Sequence, residues 1–162
     1  MKRIIVALLL LASLGALAQQ ASQEKSLLWE ISGKGLTHMP VAVMEKMSEQ
    51  IEYFNKGMTD EVTLRSIRYV DKYKSVISGL VSDYKQENIQ GVYKMLTGPA
   101  MADDSMNYWL VFHRNANWVE RMPAVLQQRS NFFAVGAGHL AGEKGVIALL
   151  RAKGYIVTPV MK

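Results

Sequence analysis

The chain has 162 residues, 19 Lys and Arg against 14 Asp and Glu, and no cysteine, so it builds no disulfide framework and relies on packing for stability. Two of the cations, Lys2 and Arg3, sit in an N-terminal leader, and the rest are interleaved with acids, as in Lys85-Gln-Glu87 and Arg65-Ser-Ile-Arg68-Tyr-Val-Asp71. The pI near 9.4 therefore marks no basic stripe, which excludes a nucleic-acid partner.

Lys2 and Arg3, the apolar run from Ile4 to Leu14 and the small-x-small site Ala16-Leu17-Ala18 read as a signal peptide over residues 1–18. The run is too short for a membrane span, which needs about 20 apolar residues, and no later stretch qualifies. The expectation is an exported protein, periplasmic or extracellular, with no membrane span once the signal is removed. Residues 19–26 form a polar leader and 27–162 a single domain.

Leu27-Leu-Trp-Glu-Ile-Ser32 alternates like a half-buried strand and ends at Gly33 and Gly35. Val43, Met47, Ile51 and Phe54 then recur at helical spacing, with Glu45, Glu49 and Glu52 elsewhere on the helix, which ends at Gly57. Thr59 or Asp60 caps a long amphipathic helix whose stripe runs through Leu64, Ile67, Val70, Ile77, Leu80 and Val81 to about Tyr84. A shorter helix covers Asn88 to Leu96. Asp103 or Asp104 caps another, from about Ser105 to Gln128, with Pro123 kinking or splitting it.

The chain ends in a strand–loop–helix–strand unit. Phe132 to Val135 is an apolar run broken by Gly136, Gly138 and Gly142. Glu143 opens a helix carrying Val146, Leu149 and Leu150, Gly154 stops it, and Tyr155-Ile-Val-Thr-Pro-Val160 is a second strand. The fold class is α/β, a helical middle region with a small mixed or parallel sheet.

His139 follows two of the glycines, at the carboxyl end of a strand, where open α/β sheets bind ligands. With Glu143 four residues on, it suits general acid–base work or metal ligation, while the plainer reading has His139 donating to a backbone carbonyl and Glu143 capping the helix. On the preceding helix, Arg114 suits a carboxylate or developing oxyanion and Asn115 a directed hydrogen bond, against a solvated face with Trp118 in the core. The glycine spacing does not fit a dinucleotide loop, and no acidic residue lies some 20 positions on to hold a ribose. With only His38, His113 and His139 available, a histidine-only metal site needs all three, since catalytic metals take about three protein ligands.

Leu110-Val-Phe-His-Arg114-Asn115-Ala-Asn-Trp118 and Phe133-Ala-Val-Gly-Ala-Gly-His139-Leu-Ala-Gly-Glu143-Lys-Gly closely resemble the TraB/GumN family. Met44-Glu45 with Glu49-Gln50 looks like its middle region, and Leu27 to Leu36 like its first strand and turn. The family includes the TIKI proteases, which are metal-dependent, and is related to erythromycin-esterase and ChaN-like folds. The resemblance implies a divalent metal and two G-x-x-H motifs, of which Gly136-Ala-Gly-His139 matches the second, while Arg114 and Asn115 match an Arg-Asn pair. The first motif and the strands around it are missing between about residues 37 and 41. Gly35-Leu-Thr-His38 satisfies the spacing but falls in the turn before relatives reach their motif, and is read as coincidence.

Two functional classes follow. One is a metal-dependent, protease-like hydrolase with His139 as ligand or acid–base group, Arg114 and Asn115 on the substrate and Glu143 in second rank, acting on a peptide or small molecule. The alternative is a shortened, inactive binding or self-associating module.

Overall fold

The structure is a computed structural model and describes residues 5–9, 43–128 and 130–160. The cleavage site, the polar leader, the expected strand Leu27–Ser32 and His38 lie outside the described residues. Within them, helices predominate: α1 (Met47–Gly57), α2 (Asp60–Arg68), α3 (Val70–Lys85), α4 (Ile89–Thr97), the single turn α5 (Asp104–Met106), α6 (His113–Leu126) and α7 (Val146–Ala152). A π-helical segment, Asn107–Phe112, joins α5 to α6. The strands are β1 (Ile5–Leu9), inside the segment read as a signal, and β2 (Phe132–Gly136). They run parallel, with Ile5 opposite Phe132 and Leu9 opposite Gly136.

Local chemistry sets most boundaries. Thr59 accepts the Val62 N–H at 3.3 Å to start α2, Asn88 accepts the Gly91 N–H at 3.1 Å to start α4, and Asp103 accepts the Met106 N–H at 2.9 Å to start α5. Each satisfies one of the donors a helix start leaves orphaned. The Glu49 carboxylate does the same from within α1, accepting the Lys46 N–H at 2.6 Å.

The expected single helix through Leu64 and Tyr84 is broken at Tyr69, whose φ of −112° and ψ of 23° leave the helical region. No Gly or Pro marks the break. The bend accompanies the burial of Val62 from α2 and Leu80 from α3, while Leu64, Ile67, Val70, Ile77 and Val81 of the same expected stripe are exposed. In α1 likewise Met47, Ile51 and Phe54 are exposed, and Tyr53 is buried against the π-helical segment instead. The expected core faces of these helices are thus corrected.

Pro123 neither splits nor ends α6, which continues to Leu126. Lying at the start of the last turn, it removes one backbone donor and leaves only three residues to carry onward. The irregularity falls instead at Asn107–Phe112.

The main core forms where α6 and α7 pack on β2. Trp118, Val119, Met122 and Leu126 meet Phe133 and Val135, the two inward residues of the strand, and Val146 and Leu150 from α7. Burial of each such side chain contributes about 1.5–3 kcal/mol. A second cluster joins Leu80, Val92 and Ala137 and brings α3 and α4 against the turn that follows β2.

The C-terminal unit departs from expectation at two points. Glu143 stands in a turn, and the helix begins only at Val146, after Gly145. Tyr155 to Val160 is not a strand. Its side chains alternate as a strand's would, but a strand needs a hydrogen-bonded neighbour, none of the described residues supplies one, and Pro159 lacks the N–H for such a ladder. The described fold is therefore a largely helical body with one short parallel strand pair, to which Tyr155 to Val160 adds no third strand.

Candidate functional site

β2 delivers the chain into a turn of 3-10 helix, Ala137–His139, and α4 lies across the loop that follows. Two glycines make this approach possible. At Gly142 φ is +80°, and a Cβ would sit 2.3 Å from Tyr93 Cζ. A Cβ on Gly138 would meet Leu96 Cδ1 at 2.5 Å. Gly136, by contrast, has an extended backbone open to any residue.

His139 is 9 % exposed, and its Nδ1 lies 2.7 Å from Asn115 Oδ1. Asn115, fully buried on α6, donates its amide to Lys144 O at 2.8 Å and His139 O at 3.3 Å. With Nδ2 directed at two carbonyls, Oδ1 must accept, so the proton of the neutral imidazole is assigned to Nδ1. Nε2 then carries the lone pair, and no described residue hydrogen-bonds it. Burial, and secondarily the Arg114 charge, push the His139 pKa down from 6.5 to about 3. The imidazole is neutral across the physiological range.

Arg114 does not reach toward an open site. Its Nε donates to Glu45 Oε1 at 2.9 Å and its Nη2 makes a second, short bond to the same oxygen. The guanidinium lies 4.9 Å from the Trp118 ring centre, Trp118 Nε1 donates to Glu45 Oε2 at 3.2 Å, and the indole lies 4.6 Å from the imidazole. Glu45, 5 % exposed, thus ties Arg114 and Trp118 into one buried network behind His139. The sequence pattern put Glu45 with Glu49 and Glu52 on the helix, whereas it lies in the bend that precedes α1. Its only signal was a place beside Met44 in the family-like segment.

Arg121, also missed, fixes the approach to α1 by donating to Met44 O at 2.6 Å and pairing with Glu49. These bonds from Arg121 and from Lys46 N–H hold the Glu49 carboxyl down at about 2.

The remaining candidates lie apart from this network. Glu143 is exposed and makes no ion pair with a described residue, so the expected His139–Glu143 partnership is absent among the described contacts. His113 and Asn117 belong to a different cluster. Asn117 Nδ2 lies 3.1 Å from both Tyr53 Oη and His113 Nε2, and the His113 ring packs against Tyr53 and Trp109.

A metal at His139 would find one nitrogen donor here. Among the described residues no three His, Asp or Glu groups converge to hold an ion, and Glu45 is engaged by Arg114 and Trp118. The described residues alone do not make a complete metal site.

Comparison with known proteins identifies relatives through short segments. The chain is 40 % identical over 58 residues to Metalloprotease TIKI2 of Danio rerio, covering 34 % of this chain and 11 % of that protein. It is 43 % identical over 51 residues to Metalloprotease TIKI1 of the same organism, covering 30 % and 10 %. A Metalloprotease TIKI homolog of Amphimedon queenslandica is 37 % identical over 51 residues, again 30 % and 10 %. The matched segment thus spans about a tenth of these relatives. No solved structure matches the chain. The family model for TraB/PrgY/gumN matches residues 9–159, nearly the whole sequence, and the chain belongs to the TraB/PrgY/gumN family.

Proposed function

We propose that this protein is an exported, protease-like hydrolase that uses a divalent metal, with His139 Nε2 as a ligand. The observation that carries the reading is the bond between His139 Nδ1 and Asn115 Oδ1, which fixes the tautomer and leaves Nε2 as the free donor. Metal-binding histidines are held in this way by an acceptor on their other ring nitrogen. A pKa of about 3 narrows the role further, because at neutral pH such an imidazole is a poor proton acceptor and no proton donor. A neutral imidazole with its Nε2 lone pair free is the form a metal takes as ligand, so of the roles the sequence left open we take ligation.

Asn115 and Arg114 are then positioning residues rather than substrate contacts. Asn115 orients the ring, and Arg114 with Glu45 braces the indole packed against it. The TIKI relatives, named as metalloproteases, support a metal and a peptide bond as its target. The metal, when bound, would polarise a carbonyl or activate a water.

The test is metal content after exposure to Mn, Co and Zn salts, together with peptidase activity, for the wild type and His139→Ala. Loss of both in the variant supports the reading. A folded wild type that retains no metal and cleaves no peptide would sink it. A second reading, a non-catalytic module that self-associates, is favoured by the exposed apolar residues Ile67, Val70 and Ile77 on α2 and α3. Light scattering at several concentrations tests it, and a strictly monomeric chain counts against it.

A further inference from the structure

Val70 and Ile77 of α3 stand one heptad apart, as do Lys74 and Val81, so the four side chains form a single seam along the helix at the spacing by which paired helices interlock. That seam is uncovered. Val70, Ile77 and Val81 are 52 %, 42 % and 39 % exposed, whereas Leu80, turned about 100° from Val81, is buried in the core. Leu64 and Ile67, exposed on α2, enlarge the apolar surface. A helix face of this size, about 24 Å long, suits a weak and reversible pairing rather than an obligate one.

Charge says what covers it. Asp71 and Lys85 lie on the same flank of the seam, with Ser78 midway between them in the sequence. Asp71 meets Lys74 of its own helix at 2.8 Å, yet its side chain is still 88 % exposed, and Lys85 is exposed with no acidic partner among the described residues. When a helix packs antiparallel on a copy of itself, residues of one flank meet residues of the same flank, those before the centre against those after it. With the two-fold axis near Ser78, Asp71 of each chain faces Lys85 of the partner subunit, and two opposite-charge pairs form together. The exposed stripe of α1, Met47, Ile51 and Phe54, has no such self-complementarity, since Ser48 and Asn55 at the corresponding flank are neutral.

We infer that α3 is a docking surface for a second copy of this chain, packed antiparallel about a two-fold axis near Ser78. The inference rests on the self-association reading and gives it an interface, an orientation and a register. It also accounts for the part of the expected core stripe that folding leaves exposed on α3.

The experiment is light scattering of the full chain over a concentration series, with two charge reversals. Asp71→Lys and Lys85→Glu each set like charges opposite one another and weaken self-association by about tenfold. An equimolar mixture of the two variants restores it, because each pair is remade in the opposite sense, a result that a folding defect in either chain would not produce. The absence of cysteine allows a single spin label to be placed without background, at Ser78→Cys or at Lys85→Cys. In the antiparallel pair the label-to-label distance is longer at position 85 than at 78 by about 10 Å or more, because the helical rise carries the two copies of residue 85 about 21 Å apart along the axis. A chain that stays monomeric throughout the series overturns the self-association reading and this interface together. A dimer indifferent to both charge reversals, or label distances equal at positions 78 and 85, leaves self-association standing and overturns this interface alone.

Discussion

Asn115 Oδ1 accepts the Nδ1 proton of His139 at 2.7 Å, across 24 residues of sequence, while the amide of the same side chain reaches the His139 and Lys144 carbonyls. One fully buried residue thus sets the tautomer of the histidine and closes its loop. Asn115→Leu leaves a ring N–H and two carbonyls without partners, and its expected cost is about 2–4 kcal/mol, measured by urea denaturation. Asn115→Asp can still accept from Nδ1 but places an anion beside the ring. The His139 pKa should rise, as read by NMR titration of the imidazole.

The buried imidazole also makes stability depend on pH. Its folded pKa of about 3 lies below the ordinary 6.5, so between these values the unfolded chain binds more protons. Stability therefore rises with pH across this window, is flat above about 6.5, and falls on acidification by up to about 1.4 kcal/mol per pH unit. Glu49 acts lower, since its pKa drops from 4.5 to about 2 and its contribution is lost only as pH falls through that range. Denaturation between pH 4.5 and 6.5 isolates the histidine. His139→Gln should flatten that part of the curve, and an unchanged slope would refute the assignment.

Gly142→Ala should destabilise by about 1–3 kcal/mol, because φ is +80° and the new Cβ meets the Tyr93 ring. Tyr93→Phe will not relieve it, as Cζ itself is 2.3 Å from that Cβ position. Tyr93→Ala in the same chain recovers the steric part and leaves the conformational part. A double-mutant cycle on thermal unfolding measures the coupling.

Glu45→Ala strands the Arg114 guanidinium, whose side chain is 19 % exposed, and removes the acceptor of Trp118 Nε1. The expected loss is about 3–5 kcal/mol, the scale for breaking a buried pair from one side. Glu45→Ala with Arg114→Met should be less damaging than Glu45→Ala alone. Equal damage in both chains would show that the pair is not energetically coupled.

The parts of the site governed by neighbours in sequence were legible. Gly138 and Gly142 announced a sharp loop, and His139 was its one imidazole. The Arg114–Glu45 contact spans 69 residues, so Arg114 read as a free cation and Glu45 as a solvated acid until the chain closed on itself. Periodicity located the helices but chose the wrong faces. It marked Met47, Ile51 and Phe54 as core because it weighs apolarity alone, whereas Tyr53 has the size and the hydroxyl to stack on Trp109 and accept from Asn117. Tyr155 to Val160 shows the same limit. Alternation gives a segment the form of a strand, and only a partner edge makes it one.

The π-helical segment Asn107–Phe112 sits immediately before α6. Its wider turn accommodates an extra residue, which shifts the angular phase of everything downstream by about 100° relative to an uninterrupted α-helix. With this phase, adjacent residues serve different neighbourhoods, His113 packing with Tyr53 and Trp109 while Arg114 and Asn115 meet Glu45 and His139. Excising one residue from the segment would rewind it to α and rotate the aromatic cluster out of alignment with the histidine brace. The segment is thus a phasing element, and its length is under tighter constraint than its composition.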